Sequence, residues 1–385
     1  MVVTNKVQLN PATRIIPPST LNQAHWLAED CSRAKRWRLP VPGIMLLIAC
    51  TAPTSREEAI QTVAAKAGID TARAGEMLQV LERNQLILDV DTLKADSRLT
   101  VFQKVRAAWT TANWTEAAEY HLSTFDYPFI DYATDGRDID IKRMHKYVED
   151  EADDNRYKQY PDALRRFPLP APNADLIPST MSDSLYRDPQ SGVSLEALSR
   201  ILSIAFAEIG QITSGRWPRM PMMRRTSPSG GARHPIEAYL AVLDVPGLPC
   251  GWYHIAVAPP TLELLREETT PEAELRTLFP LSYGRVPMDV KCILMLTSMF
   301  ERNMYRYREP RTFRTVHMDA GHLAATVQMT AGGLGIKTHV AYPDTDELIE
   351  RKLGLAGLKE GFMLSISFGV RSRVEQARPA EEVHV

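Results

Sequence analysis

Apolar positions along the chain change spacing several times, and each change predicts an element. Val41 to Ala49 is a continuous apolar segment. Ser55 with Glu58 three residues on is a capping box, in which side-chain oxygens satisfy the free N–H groups of a first helical turn. A helix is therefore predicted over Arg56 to Ala67, with Gly68 as its left-handed stop. Asp70 caps a second helix, where Ala74, Met77, Leu78 and Leu81 share one face. Asn84 ends it, and Leu86-Ile87-Leu88 reads as a short strand. Helix, turn, helix and strand within residues 39–95 predict a small winged-helix-like module. Ahead of it, Pro, Asn and Thr surround Arg33, Lys35, Arg36, Trp37 and Arg38, which read as a solvated basic face.

Val101 to Ser123 is amphipathic and carries Trp109, Trp114, Tyr120 and His121. The acidic run Glu149 to Asp154 lacks the alternation and glycine of a calcium loop and reads as linker. Pro168, Pro170 and Pro172 exclude a regular element and place a domain boundary. Beyond residue 178, Ser194 opens a helix with Leu195, Leu198, Leu202 and Ala205 on one face. Ile236 to Leu243, Trp252 to Ile255, Cys292 to Ser298 and Phe362 to Phe368 read as strands around a long helix, Thr315 to Gly332. Strands that do not alternate strictly with helices predict an α+β fold. The expected blocks are 1–100, a helical and Pro-rich linker at 101–178, a main domain at 179–375 and a tail at 376–385.

Composition changes this picture little. In 385 residues, 44% are hydrophobic and 24% charged, as in ordinary folded chains. Lys plus Arg total 45 against 47 Asp plus Glu, a net charge of −2, so no overall field exists to hold nucleic acid. The second helix of the module presents Arg73, Glu76, Glu82 and Arg83, a balanced set that favours gripping a peptide along a sheet edge over binding DNA. No apolar run is long enough to cross a bilayer and no export signal is recognisable, so a cytoplasmic protein is expected. The cysteines Cys31, Cys50, Cys250 and Cys292 are scattered and read as free thiols, with no metal site.

Two clusters carry candidate chemistry. The first, Arg224-Arg225-Thr226-Ser227-Pro228-Ser229-Gly230-Gly231-Ala232-Arg233-His234-Pro235, precedes a strand; its glycines permit close backbone approach and its hydroxyls and guanidiniums suit an anion. It matches neither the P-loop nor the dinucleotide fingerprint, so a cofactor loop and a plain turn both stay open. His234 has the same two readings. The second cluster packs Arg302, Arg306, Arg308, Arg311 and Arg314 among Tyr305, Tyr307 and Phe313, ahead of Asp319-Ala320-Gly321-His322. Stacking of a ligand and intersubunit ion pairing both fit it. His322 reads as a buried, hydrogen-bonded helix residue, and His254 and His339 as structural.

The string Arg225 to Ala232, the Tyr- and Arg-rich segment ending in Asp-Ala-Gly-His, and Ala331-Gly332-Gly333-Leu334-Gly335 resemble the SagB-type dehydrogenases of the nitroreductase superfamily over roughly residues 180–375. The resemblance implies a three-layer α+β fold with a central, mostly antiparallel sheet, an intertwined homodimer, and FMN at the subunit interface. It also implies dehydrogenation of an azoline in a peptide or peptide-derived product, a peptide-clamp role for the N-terminal module, and a cyclodehydratase as candidate partner.

The resemblance assigns cofactor binding to Arg224, Arg225, Ser227, Pro228, Ser229, Gly230, Gly231, His234 and Gly335. Where the superfamily opens on Arg-Arg-Ser this chain reads Ser182-Asp183-Ser184, with Arg187 displaced. Arg224, Arg225, Arg371 and Arg373 are then the phosphate candidates. Where azoline oxidases carry Lys-Tyr this chain has Arg306-Tyr307. A guanidinium does not release its proton at accessible pH, so Tyr307 is the candidate base or acid, with Arg306 beside it. Two other readings stand: an NAD(P)H-dependent reductase of a dehydroamino acid or nitro group, and a non-catalytic relative that binds a leader peptide or partner.

Overall fold

The capping signals place helices where the chain puts them. In the computed structural model, which describes residues 5–19, 25–124, 133–150, 156–172, 192–212 and 222–371, the contacts divide the chain into units at 1–130 and 131–385.

In the first unit the strands are β1 (Lys6–Leu9), β2 (Thr13–Ile16), β3 (Trp26–Asp30), β4 (Lys35–Leu39), β5 (Thr54–Ser55) and β6 (Ile87–Asp89). The helices are α1 (Val41–Ala49), α2 (Arg56–Ala67), α3 (Thr71–Arg83), α4 (Val90–Ala95), α5 (Ser97–Thr111) and α6 (Thr115–Thr124). Ser55 accepts from the Glu58 N–H, and Gly68, at φ 65°, stops α2. Asp70 accepts from the Arg73 N–H at 2.7 Å to start α3. Ile44, Leu47, Val63, Leu78 and Leu81 close the core between the three helices. β1 pairs with both β5 and β6, which supplies the winged-helix arrangement.

The basic face expected before residue 40 is solvated, with Lys35, Arg36 and Arg38 exposed, but it stands on a second sheet, β2-β3-β4, that the sequence did not announce. Glu29 stands opposite both Arg14 and Arg36 in the ladder and pairs with them at 3.5 and 2.6 Å. Opposite charges facing across strands support a sheet as apolar pairs do, so the charges that obscured the alternation help to hold it.

The second unit contains α7 (Gly136–Asp150), β7 (Arg165–Pro168), α8 (Leu195–Phe206), β8 (Gly210–Ile212), β9 (Met222–Arg224), β10 (Ile236–Val242), β11 (Gly251–Val257) and β12 (Pro260–Glu267). These are followed by α9 (Glu272–Leu278), β13 (Met288–Met299), α10 (Phe300–Arg306), α11 (Phe313–Gly333), β14 (Lys337–Ala341), α12 (Asp346–Leu353) and β15 (Glu360–Arg371). Seven strands form one sheet in the order β14-β15-β13-β10-β11-β12-β7, and each neighbouring pair runs antiparallel. Pro168 was expected to exclude a strand; it closes β7 at the sheet edge, where its missing N–H costs least.

Both faces of the sheet are covered. Ala238, Leu240 and Val242 of β10 enter one core with α8 and α11, while Tyr239 and Ala241 enter another with α9 and α12. That is why β10 and β11 are buried along their whole length. The architecture is a three-layer α+β sandwich with an antiparallel central sheet. Among the described residues no helix is long and apolar enough to cross a membrane.

Replacing Asp70 by Ala should lower the stability of the first unit by about 1 kcal/mol, whereas Asn, an equally good cap, should hold it within a few tenths. Urea midpoints of the three proteins, followed by circular dichroism, check this; equal midpoints for Ala and wild type would remove the cap from the account.

Candidate functional site

The turn at residues 224–235 joins β9 to β10 at the foot of α11, and one carboxylate holds it there. Asp319 Oδ2 accepts from Ser229 Oγ at 2.6 Å and its Oδ1 accepts from the Gly230 N–H at 3.2 Å. Ser229 Oγ in turn accepts from the His234 N–H at 2.8 Å. Burial pushes the Asp319 carboxyl up, against the hydrogen bonds from Ser229 and Gly230. On the same helix Ser227 Oγ lies 2.6 Å from Thr326 Oγ1, and His322 Nδ1 donates to the Pro228 carbonyl at 3.3 Å. His322 makes the expected hydrogen bond but is exposed rather than buried, because Pro228 itself lies at the surface. The two motifs are thus one structure.

Two glycines let the turn close. A Cβ on Gly230 would stand 2.2 Å from Thr315 Cγ2, and one on Gly231, at φ 61°, would stand 2.1 Å from Tyr307 Oη. Protein side chains therefore fill the space beside the glycines, and Tyr307 reaches the turn through its hydroxyl. Arg306 lies over the Tyr307 ring at 5.2 Å and pairs with Asp140 of α7 at 2.9 Å. The hollow between Gly231, Arg233, Arg306 and Met222 encloses about 20 Å³, room for one water and no ring.

A buried charge network backs the turn. Arg302, 2% exposed, donates from Nη1 to the His234 carbonyl at 3.0 Å and stands 2.5 Å from Glu237 Oε1 through Nη2. Glu237 Oε2 accepts from His254 Nε2 at 3.0 Å, and His254 Nδ1 donates to Glu263 Oε2 at 2.8 Å. Burial opposes the charge on His254, but the two carboxylates raise its pKa. Burial likewise opposes ionisation of Glu237, yet Arg302 and His254 hold it down to about 2. His234 goes the other way: burial and the Arg225 charge lower it to about 3, so the ring is neutral and donates from Nε2 to the Met223 carbonyl at 3.0 Å.

Arg225 is the exception in this network. Its Nε contacts Met223 Sδ at 3.2 Å, but Nη1 and Nη2 are buried with no hydrogen-bond partner among the described residues. Burial, with Arg302 nearby, lowers its pKa to about 10 against the opposing charge of Glu237. A buried guanidinium with two unsatisfied nitrogens is costly without an anion, and it fits a phosphate or another electron-rich edge. Arg224 beside it is exposed. Gly335, at φ 73°, serves the turn from α11 into β14. Arg371 is the last residue of β15, opposite Met288. Arg373 and the Ser182-to-Arg187 stretch lie outside the described residues. Glu237, Glu263 and Asn303 were not singled out from the sequence, where the local signal was an isolated acid in each of two apolar strands, and Arg302 stood out only as one of the five arginines of the second cluster.

Residues 187–370 match the nitroreductase family. The trifolitoxin-processing protein TfxB of Rhizobium leguminosarum bv. trifolii is 29% identical over 265 residues, 64% of this chain and 68% of that protein. A Methanocaldococcus jannaschii protein named as a nitroreductase is 35% identical over 115 residues, 30% of this chain and 56% of that protein. A crystal structure from Anabaena variabilis described as a nitroreductase aligns with 63% of this chain and 48% of that chain, at 17% identity and a TM-score of 0.45.

Gly231→Ala should destabilise the second unit by about 2 kcal/mol, through the collision with Tyr307 and the left-handed backbone. Adding Tyr307→Phe should restore part of that loss. Thermal unfolding of the single and double variants measures the coupling, and strict additivity would mean the contact is not the cause.

The depressed pKa of His234 has a signed consequence. As pH falls below about 6.5 the unfolded chain binds a proton that the native chain refuses, so stability is lost progressively down to about pH 3. Between pH 7 and pH 5 this amounts to about 2 kcal/mol. His234→Gln should flatten that part of the stability profile, and an unchanged slope would contradict the assignment.

Proposed function

This chain is, through residues 187–370, a nitroreductase-superfamily oxidoreductase, and from that premise we propose that it is an FMN-dependent, SagB-type dehydrogenase oxidising an azoline in a peptide or peptide-derived product, with oxygen as electron acceptor. The observation that carries the cofactor is Arg225, whose buried terminal nitrogens have no hydrogen-bond partner among the described residues and suit an anionic group. FMN supplies, when bound, the ring that accepts a hydride. Arg225 would hold its anionic end. The residues 229–231, fixed by Asp319, would present a rigid backbone, and Tyr307 would hold or take a proton at Oη beside Gly231. Arg306, already paired with Asp140, contributes charge over the Tyr307 ring rather than a base.

The peptide side of the reading rests on the first unit and on the relative. β4 is an edge of its sheet, with exposed Lys35, Arg36 and Arg38. An edge strand suits an added strand, and its charge suits an acidic leader segment. The Rhizobium relative is named for processing trifolitoxin, which supports a role in maturing a toxin-like product. A homodimer with FMN between two copies, and a cyclodehydratase partner that makes the azoline, complete the proposal. The match to a protein named as a nitroreductase favours the second reading, in which NAD(P)H drives the flavin as a reductase.

The purified protein should be yellow, or should quench FMN fluorescence saturably when titrated. Arg225→Leu should weaken FMN by about 10- to 100-fold, as expected for loss of charge-assisted hydrogen bonds. A colourless protein with no saturable FMN response would end this reading. Anaerobic mixing with NADPH separates the directions: rapid bleaching favours the reductase, a stable oxidised spectrum the dehydrogenase.

A further inference from the structure

Tyr307 also lines a cleft of about 640 Å³, with Phe300, Asn303, Met304, Phe313 and Leu358 among its walls. That volume lies in the range of sites that take small molecules or single side chains. Its walls come from α10, the connection from Tyr307 to Thr312, the start of α11 and the segment before β15. Three apolar walls are open to water: Met304 is 52% exposed, Phe313 47% and Leu358 96%.

Asn303 has no account within the fold. It is 1% exposed, and neither its Oδ1 nor its Nδ2 has a hydrogen-bond partner among the described residues. Its backbone carbonyl accepts from the Tyr307 N–H at 2.8 Å. The residue is thus fixed in α10 while its amide leaves a donor and an acceptor unused. A Leu of similar size would fill the same space without that cost, so the amide points to a group that comes and goes. Asn303 lines the cleft, and the soft terminal torsion of Asn lets its amide adjust to a ligand there. Arg308 and Glu309 bring opposite charges to the same cleft, which disfavours a ligand with net charge.

We infer that this cleft binds a backbone amide of the peptide substrate together with the apolar side chain beside it, with Asn303 as the polar anchor and Phe300, Phe313 and Leu358 as the apolar grip. An extended peptide residue turns its N–H and C=O to the same side, matching the donor and acceptor of one Asn amide. Tyr307 joins the two sites, because its ring lines the cleft and its hydroxyl meets Gly231. The inference rests on the reading of this chain as a peptide-modifying oxidoreductase, and assigns the part of the substrate that flanks the reacting group.

The test uses N-acetyl-phenylalanine N-methylamide, a neutral compound with two amides and one apolar side chain, titrated by calorimetry into the full chain with FMN added. Wild type should bind it saturably, Asn303→Leu at least about tenfold more weakly, and Leu358→Ser several-fold more weakly. Leu358 is almost wholly exposed, so that variant folds irrespective of the outcome at Asn303. The melting temperature of ligand-free Asn303→Leu should equal or exceed that of wild type. Equal binding by all three proteins, or no saturable binding to wild type, would overturn the assignment. So would a loss of FMN affinity in Asn303→Leu with the amide probe unaffected, since the cleft would then serve the flavin. Failure of wild type to bind FMN is a separate result and bears on the cofactor reading, not on this cleft.

Discussion

Asp319 is the group on which the rest of the site depends. It lies on the helix that covers one face of the sheet, and it accepts from both the Ser229 hydroxyl and the Gly230 N–H. Without a carboxylate there, a turn holding two residues in strained left-handed conformations, Ala232 at φ 52° and His234 at φ 46°, would lack what over-determines it. Burial resists the charge on Asp319, and the two donors oppose that resistance, so carboxylate and turn stabilise each other. This reciprocity converts two segments 90 residues apart into one rigid surface against which Tyr307 can rest.

Behind that surface the sheet carries charge in its interior, an arrangement that is stable only if every member is satisfied. Arg302, Glu237, His254 and Glu263 alternate in sign, and each touches the next across adjacent elements. A second group closes the same layer: Glu360 accepts from Thr297 Oγ1 at 2.7 Å and from Tyr239 Oη at 2.9 Å, and pairs with Lys158 at 2.5 Å. Removing one member would strand its neighbour, whereas the intact rows fix the height of the Arg302 guanidinium that holds the His234 carbonyl. The sheet therefore positions the turn electrostatically from below while Asp319 holds it from the helix side.

What was legible in the sequence divides along the same line. Ser55, Asp70 and Ser194 announce helix starts because a cap bonds an N–H three residues away, and Leu198, Leu202 and Ala205 declare a buried face by spacing alone. The sheet β2-β3-β4 was not legible, because its stabilising pairs, Arg14 and Arg36 with Glu29, connect different strands and look like solvated charge one residue at a time. The same holds for His254, whose partners lie 9 and 17 residues away and meet it only once β10, β11 and β12 are in register. The resemblance supplied the fold and the turn, yet the exposure of His322 depended on where Pro228 came to rest.

The arginines make the physical criterion explicit. Five crowd into residues 302–314, and composition alone treats them as equivalent. Arg302 pairs with Glu237 and bonds the His234 carbonyl, and Arg306 is tied to Asp140, so both belong to the scaffold. Arg225, in a quieter part of the sequence, is as deeply buried as a scaffold residue but has terminal nitrogens with no hydrogen-bond partner among the described residues. A buried cation is tolerated when folding provides its counter-charge, and selected against when nothing does. Folding brings the Glu237 charge to bear on Arg225 but leaves its terminal nitrogens without a hydrogen-bond partner among the described residues, and the Asn303 amide stands in the same position in neutral form. The two unsatisfied groups therefore call for different chemistry, an anion at one and a neutral amide at the other, and Tyr307 is the side chain that reaches from the cleft of Asn303 to the turn that follows Arg225.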